Sequence, residues 1–152
     1  MKVLDVLYKD AILTDLKAKD KKSALVEMAE PVAGISGIDH QELVRVLMER
    51  EQLGSTGIGG GIGIPHGKLK NLDKLVLGFG LSRKGIDFDA MDNRLTFLFF
   101  LLITPENSTG IHLKLLARIS RLLKNEDIRE KLFNASNRED VIKTIEEVDE
   151  EF

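Results

Sequence analysis

One short segment of this chain concentrates the residue types that could do chemistry. Seven of the 13 glycines lie between Gly54 and Gly67, and the segment ends in Pro65-His66-Gly67. Ordering glycine costs conformational entropy, so such a run indicates either a flexible connection or a backbone that closely approaches a ligand or a partner. Proline restricts the backbone before His66 and glycine frees it afterwards, which can present the imidazole in a defined orientation. We predict that His66 carries the chemistry of this protein.

The glycine-rich segment does not match the common phosphate-binding loops of nucleotide-dependent proteins. A Walker A loop needs Gly-Lys followed by Ser or Thr, whereas Gly67-Lys68 is followed by Leu69. The position five residues before Gly67, where that loop needs glycine, is Ile62. The spacing G-x-G-x-x-G of dinucleotide-binding proteins is also absent. These mismatches disfavour a nucleotide site.

A second histidine, His112, falls on the apolar face of a predicted helix. It lies three, four and seven positions before Leu115, Leu116 and Ile119, which is the helical period. A histidine there is either a hydrogen-bonded core residue or one wall of a pocket, and the pattern leaves both open. If this helix packs beside the glycine-rich segment, the two imidazoles meet. The third histidine, His40, lies near a helix start and is predicted to be a surface residue.

Three polar residues precede His66 in the chain. Arg50 lies near the C-terminus of a predicted helix, where it makes either a favourable charge–dipole contact or an anion clamp. Ser55 and Thr56 either cap a turn or donate their hydroxyls to an anion. The residues alone do not decide between these roles.

The hydrophobic pattern alternates between helical and strand character, which predicts a single domain of the α/β or α+β class over residues 1–152. About five helices and four or five short strands are expected. Candidate strands cover residues 11–14, 75–81, 96–103 and, within a polar connection, 86–88. Helices are expected to begin near residues 21, 40, 109, 128 and 137.

Several short motifs predict where the helices begin and end. Pro31 should end or kink the first helix, because it has no N–H and its ring crowds the preceding turn. The second helix should end near Leu53-Gly54. The predicted N-terminal signals are Asp20 and two capping-box patterns, Asp39-x-x-Glu42 and Ser136-x-x-Glu139.

The composition excludes several classes of protein. The chain contains no cysteine, so no disulfide framework or thiol chemistry is expected. Its formal net charge is -3 and its Lys and Arg residues are dispersed, which disfavours a nucleic-acid partner. The first residues lack the apolar region of a signal peptide, and the longest apolar run, residues 97–103, is far shorter than the ~20 residues of a membrane span. We therefore expect a cytoplasmic protein without direct membrane insertion.

Taken together, the motifs resemble the IIA components of the bacterial sugar phosphotransferase system. The match is to the fructose–mannitol branch, which includes stand-alone nitrogen-regulatory IIA proteins, and it extends over nearly the whole chain. Gly60-Gly61 and Pro31 depart from the usual pattern. The matching stretches are Arg50-Glu51-x-Leu53-Gly54-Ser55-Thr56-Gly57-Ile58-Gly59 with Ile64-Pro65-His66-Gly67, residues 97–103 followed by Thr104-Pro105-Glu106, Ile111-His112-Leu113-x-Leu115-Leu116-Ala117, and Asn134-Ala135-Ser136.

The resemblance implies a phosphocarrier. His66 would accept a phosphoryl group through Nε2 from the phosphohistidine of an HPr-like carrier protein and pass it to a IIB domain, and so to a sugar. His112 would support the phosphorylated state, with Arg50 beside it and the pair Ser55 and Thr56 stabilising the phosphoryl group. The implied fold is a mixed, mostly five-stranded sheet flanked by helices. No metal or other cofactor is expected.

Two other functions stay open at this point. A IIA protein without attached IIB or IIC domains, as this chain is expected to be, can act instead as a regulator that binds target proteins according to its phosphorylation state. A metal-dependent hydrolase that uses His66 and His112 is disfavoured, because the sequence lacks local ligand spacing of the HExxH kind.

Overall fold

Five α-helices flank a mixed sheet of six strands in the computed structural model, which describes residues 1–152. No helix in it is long and apolar enough to cross a membrane. The predicted class and the mixed sheet are confirmed, with six strands where five were expected. The helices are α1 (Lys21–Ser36), α2 (His40–Gln52), α3 (Thr109–Leu123), α4 (Glu126–Phe133) and α5 (Arg138–Glu146). The strands are β1 (Leu7–Leu13), β2 (Gly57–Gly59), β3 (Ile62–Gly63), β4 (His66–Leu69), β5 (Val76–Ile86) and β6 (Thr96–Pro105).

Strand β6 organises the sheet. It pairs antiparallel with β5 on one side and parallel with both β3 and β4 on the other. Strands β3 and β4 follow one another along that side, with Ile62 opposite Leu98 and His66 opposite Leu102. Strand β1 pairs parallel with β5, and β2 pairs antiparallel with β3. His66 therefore lies on a strand that is anchored to the centre of the sheet.

The side chains of β6 alternate between two hydrophobic cores, one on each face of the sheet. The continuously apolar run is therefore covered on both faces, as such runs commonly are in central strands. Leu98, Phe100 and Leu102 belong to the core that packs against α3, α4 and α5. Phe99, Leu101 and Ile103 belong to the core that packs against α1 and α2.

The glycine-rich segment is not a flexible connection, because most of it forms β2, β3 and β4. Gly59, Gly60 and Gly61 make the turn between β2 and β3, with φ angles of 94°, 66° and 80°. Side chains with a Cβ rarely adopt positive φ, which explains three consecutive glycines at the turn. Gly57, Gly63 and Gly67 lie in these strands, where an added Cβ would come within 3.1, 3.0 and 2.9 Å of neighbouring atoms, so they allow close packing. Gly54 lies between α2 and β2 with a φ of 134°.

Helix α1 does not end at Pro31 but continues to Ser36. Val32, directly after the proline, is fully buried in the core beneath α1 and α2. Burying a valine contributes about 1.5–3 kcal/mol, comparable to the roughly 3 kcal/mol that an internal proline costs. Packing therefore offsets the missing hydrogen bond, and the helix ends instead at Gly37.

Two of the three predicted N-terminal caps are confirmed. The side chains of Asp20 and Asp39 accept hydrogen bonds from the backbone N–H of Ser23 and Glu42, at 2.9 and 3.2 Å. The last helix is capped by Asn137 rather than by Ser136, because the Asn137 side chain accepts from the third helical N–H.

Three strands extend beyond the predicted bounds, and one of them, β6, continues two residues further to Pro105. Strand β5 continues through the expected polar connection to Ile86, with an irregularity in its pairing after Leu81. Strand β1 begins at Leu7, four residues before the apolar run that indicated it. The extensions of β1 and β5 each contain two consecutive exposed charged residues, Lys9-Asp10 and Arg83-Lys84, which interrupt the strand pattern.

Candidate functional site

A cleft of about 590 Å³ opens where the end of α2, strand β4 and the first turn of α3 meet. Three of the five predicted site residues line it: Arg50 from α2, His66 from β4 and His112 from α3. The remaining walls are largely apolar. They include Val46, Leu53, Leu113 and Leu116.

Strand pairing fixes the backbone of His66. The carbonyl of Pro65 accepts a hydrogen bond from the N–H of Leu102, at 2.9 Å, and the register continues through β4. Gly67, the next residue, has no room for a side chain, since a Cβ there would lie 2.9 Å from Cγ1 of Val46 on α2. Glycine therefore lets α2 pack close to the strand that carries the histidine.

The hydrogen bonds of His66 define its tautomer. Nδ1 lies 2.8 Å from the carbonyl oxygen of Ile64, which can only accept, so Nδ1 carries the proton. Nε2 is then unprotonated, and its lone pair accepts a hydrogen bond from the Nε–H of Arg50 at 3.3 Å. The lone pair of a half-buried imidazole thus faces the cleft beside a guanidinium group.

His112 lies in the first turn of α3 and is buried. Its ring meets that of His66 edge to face, with centroids 5.4 Å apart and planes inclined by 63°. Its Nδ1 lies 2.7 Å from Oγ1 of Thr104 at the end of β6. The helix therefore packs beside the glycine-rich segment and brings the two imidazoles together, which makes His112 a pocket wall.

Both imidazoles favour the neutral state. Burial lowers the pKa of His66, and the nearby Arg50 cation lowers it further, against the opposing effect of the hydrogen bond to Ile64. Burial lowers the pKa of His112 to about 4, and the charges of His66 and Lys68 act in the same direction. At neutral pH each ring therefore has one N–H and one lone pair, and the position of each proton matters.

A cation that the sequence analysis missed, Lys68, also lines the cleft. It lies two residues after His66 on β4, so both side chains leave the strand on the same face. Its ammonium group donates to Oγ1 of Thr109 at the start of α3, at 3.2 Å. The two-residue spacing was a usable signal, but only once the segment is known to be a strand.

Ser55 and Thr56 lie outside the cleft lining. The hydroxyl of Ser55 donates to the carbonyl of Phe88, at 2.8 Å, and accepts from the N–H of Gly57, at 3.0 Å. The hydroxyl of Thr56 donates to the carboxylate of Glu51, which also accepts from the Thr56 N–H at 3.0 Å. In this structure both hydroxyls hold the backbone that leads from α2 to β2.

Glu51 is a second residue that the sequence analysis missed. It follows Arg50 at the end of α2, and its carboxylate is buried against Thr56 and the ammonium group of Lys21, at 3.2 Å. A buried carboxylate needs such partners, because desolvating a charge is costly. It ties the end of α2, and so the backbone of Arg50, to the start of the glycine-rich segment.

The three isoleucines of the glycine-rich segment separate into two groups. Ile62 and Ile64 are buried in the core beneath α3, whereas Ile58 is exposed. Of the three, only Ile58 is therefore accessible to a partner protein. No group of three or more His, Cys, Asp or Glu side chains lies close enough to hold a metal ion, so the hydrolase hypothesis has no ligand set.

The fold and the cleft define an α/β protein with a neutral histidine pair at the edge of a mixed sheet. Residues 5–148 match the family described as phosphoenolpyruvate-dependent sugar phosphotransferase system, EIIA 2. The chain belongs to this family, whose members are phosphotransfer components of that system.

Named relatives fall into two groups. The chain is 44% identical over 132 residues to a nitrogen regulatory protein of Bradyrhizobium diazoefficiens, covering 87% of this chain and 86% of that one. It is 41% identical over 110 residues to a fructose-specific EIIA component of Haloferax volcanii, covering 72% and 71%. Among solved structures, the nitrogen regulatory protein IIA-Ntr of Neisseria meningitidis superposes with a TM-score of 0.88 at 33% identity, over 93% of this chain and 97% of that one.

Proposed function

We propose that this protein is a phosphocarrier that accepts a phosphoryl group on Nε2 of His66. The observation that carries the proposal is the unprotonated Nε2 of His66, which faces the cleft between Arg50 and His112 and accepts a hydrogen bond from Arg50. The donor would be the phosphohistidine of an HPr-like protein, and the acceptor a IIB domain that phosphorylates an incoming sugar. Family membership supports both partners.

The transfer is an exchange of the phosphoryl group between two imidazole rings. The Nε2 lone pair forms a new bond to phosphorus while the bond between phosphorus and the donor imidazole breaks, and the electron pair of that bond returns to the donor ring. Nδ1 of His66 keeps its proton and donates a hydrogen bond to the Ile64 carbonyl, which stabilises the positive charge on the phosphorylated ring. Passage to IIB is the same exchange with His66 as the leaving group.

Charge stabilisation comes from groups around Nε2. Phosphoryl transfer has a loose transition state whose charge resides on three equatorial oxygens, so positioning and electrostatics dominate catalysis. Arg50 donates to Nε2 in the resting state and is close enough to move its N–H groups onto the phosphoryl oxygens. Lys68 adds a second cation on the same face of β4. Ser55 and Thr56 contribute by holding the turn after Arg50.

Labelling by a phosphorylated carrier tests this function. Incubation with radiolabelled phospho-HPr should label the protein, whereas His66→Ala should take up no label because the accepting nitrogen is gone. His40→Ala, which removes a histidine outside the cleft, is the matched control and should label normally. Robust labelling of His66→Ala would contradict the proposal.

A regulatory role is the second candidate function, and the nitrogen regulatory relatives favour it. In that role the phosphoryl group on His66 would change which target proteins bind. A pull-down with phosphorylated and unphosphorylated protein, run beside a sugar-phosphorylation assay with candidate IIB proteins, separates the two roles. State-dependent capture without sugar phosphorylation would favour regulation, and the reverse result would favour transport.

A further inference from the structure

Thr104 makes a side-chain contact that the proposed phosphoryl chemistry has not used so far. It lies near the end of β6, is fully buried, and its Oγ1 is 2.7 Å from Nδ1 of His112. This is the only hydrogen bond that the Thr104 hydroxyl makes with the protein. The contact joins the central strand of the sheet to the first turn of α3.

The direction of this hydrogen bond follows from what each group can do. A hydroxyl can donate or accept, and a neutral imidazole nitrogen does one or the other according to its tautomer. If Nδ1 of His112 donated, the Thr104 O–H would have no acceptor in a fully buried position, which is costly. If the hydroxyl donates, both groups are satisfied. The Thr104 hydroxyl therefore donates, and Nδ1 of His112 is unprotonated.

The proton of the neutral His112 ring must then reside on Nε2. This nitrogen has no partner in the protein. Only one side-chain nitrogen or oxygen is both fully buried and without a hydrogen bond, and it is Oγ1 of Thr96. Because Nε2 of His112 also has no hydrogen bond, it is not fully buried and reaches the surface of the cleft. The two rings are complementary: His66 presents a lone pair to the cleft and His112 presents an N–H.

We propose that Thr104 is a positioning residue that holds His112 as the Nε2–H tautomer and aims that N–H at the phosphoryl group carried by His66. The proposal rests on the phosphocarrier function proposed above, because it assigns the use of the N–H. The centroid separation of 5.4 Å brings the His112 ring within reach of a group attached to Nε2 of His66.

The neutral state of His112 makes the tautomer important. A protonated imidazolium has an N–H at both nitrogens and would donate to the cleft whatever Thr104 did. Burial lowers the pKa of His112 to about 4, so at neutral pH the ring has only one N–H. The threonine hydroxyl decides on which side of the ring that N–H lies.

Two substitutions at one position separate the hydroxyl from the shape of the side chain. Thr104→Val keeps the volume and the branched Cβ but cannot donate, whereas Thr104→Ser keeps the hydroxyl. Nitrogen NMR distinguishes a protonated ring nitrogen from a bare one. Thermal unfolding of both variants shows whether each is folded.

In the unmodified protein, NMR should show His112 with a protonated Nε2 and a bare, hydrogen-bonded Nδ1. In Thr104→Val the Nδ1 resonance should move to that of a ring nitrogen without a partner, and in Thr104→Ser it should return. A protonated Nδ1 in the unmodified protein would overturn the proposal. This readout needs no phosphoryl donor, so it is independent of the proposed function.

Transfer kinetics give the second readout. Phosphoryl transfer from the labelled protein to IIB should be about tenfold slower in Thr104→Val, the effect of misaligning one hydrogen-bond donor, and within about twofold of normal in Thr104→Ser. Normal transfer by a folded Thr104→Val protein would overturn the positioning role. Failure of the unmodified protein to take up phosphoryl groups would instead contradict the phosphocarrier function while leaving the tautomer result intact.

Discussion

The two histidines of the cleft are held in different ways. The His66 ring is oriented by the carbonyl of Ile64, two residues earlier in the same segment, whereas the His112 ring contacts a side chain on another element, Thr104. The first contact is local and uses the backbone, so it depends mainly on the path of the chain through Pro65. The second depends on one side chain and on the packing of α3 against the sheet. The orientation of the His66 ring is thus less sensitive to substitution of nearby side chains than the orientation of the His112 ring.

Among the residues that contact His66, we expect substitution of Arg50 to have the largest effect on phosphoryl uptake. Arg50→Met removes the N–H beside Nε2 while keeping an apolar stem, and phosphoryl uptake should be about 100-fold slower, the usual effect of losing one transition-state donor. Rapid-quench labelling with phospho-HPr measures the rate.

Arg45→Met is the matched control for Arg50. Arg45 lies on the same helix, is exposed, pairs with Glu42 and Glu49, and does not itself line the cleft. Its loss should change uptake by no more than about twofold. Equal effects of the two substitutions would show that general surface charge, and not the contact with His66, sets the rate.

The lowered pKa of His112 should make the stability of the protein depend on pH. The folded pKa of His112 is lowered to about 4, so between that pH and its ordinary value of 6.5 the unfolded chain binds more protons. The contribution of His112 to the free energy of unfolding is therefore fully present above pH 6.5. The free energy of unfolding should fall by roughly 2–3 kcal/mol as the pH drops to 4. Urea unfolding at a series of pH values measures it.

His112→Gln should lose much of that pH dependence, whereas His40→Gln should keep it. Burial lowers the pKa of His66 in the same direction, so a smaller slope persists in the first variant. An unchanged slope in His112→Gln would mean that the second ring is not held neutral by burial.

Removing the second ring should affect release more than uptake. His112→Ala keeps the Nε2 lone pair of His66, so phospho-HPr should still label it. Onward transfer to IIB should be about tenfold slower, because one donor to the phosphoryl group is lost. Chase of the labelled variant with IIB measures this rate, and an unchanged rate would remove His112 from the site.

The smallest effect is expected at Ser55. Its hydroxyl bonds the backbone at Phe88 and Gly57, so Ser55→Ala should cost about 1 kcal/mol of stability and leave uptake within about twofold. Urea unfolding and labelling together give both numbers. A large loss of uptake at unchanged stability would favour direct contact with the phosphoryl group.

The sequence indicated much of the fold because several signals are local. The aspartates that cap α1 and α2 and the apolar run of β6 depend only on neighbouring residues. The strand character of the glycine-rich segment depends on pairing with β6, more than 30 residues further along the chain. Glycine carries no side-chain pattern, so this pairing left no mark in the local sequence.

Some residues of the site could likewise be predicted from local sequence, whereas others could not. His66 and His112 were singled out from residue type and spacing, and Arg50 was assigned through the family motif. Lys68 could be recognised only after β4 was known to be a strand, and Glu51 only after its contacts with Thr56 and Lys21 were visible. The contact between Thr104 and His112 depends on how α3 returns against the sheet, which no short pattern specifies.

The position of the phosphorus atom tests the central claim most directly. After phosphorylation by phospho-HPr, nitrogen and phosphorus NMR should locate the phosphoryl group on Nε2 of His66, with the proton retained on Nδ1. A phosphoryl group on Nδ1 of His66, or on any other residue, would contradict the account.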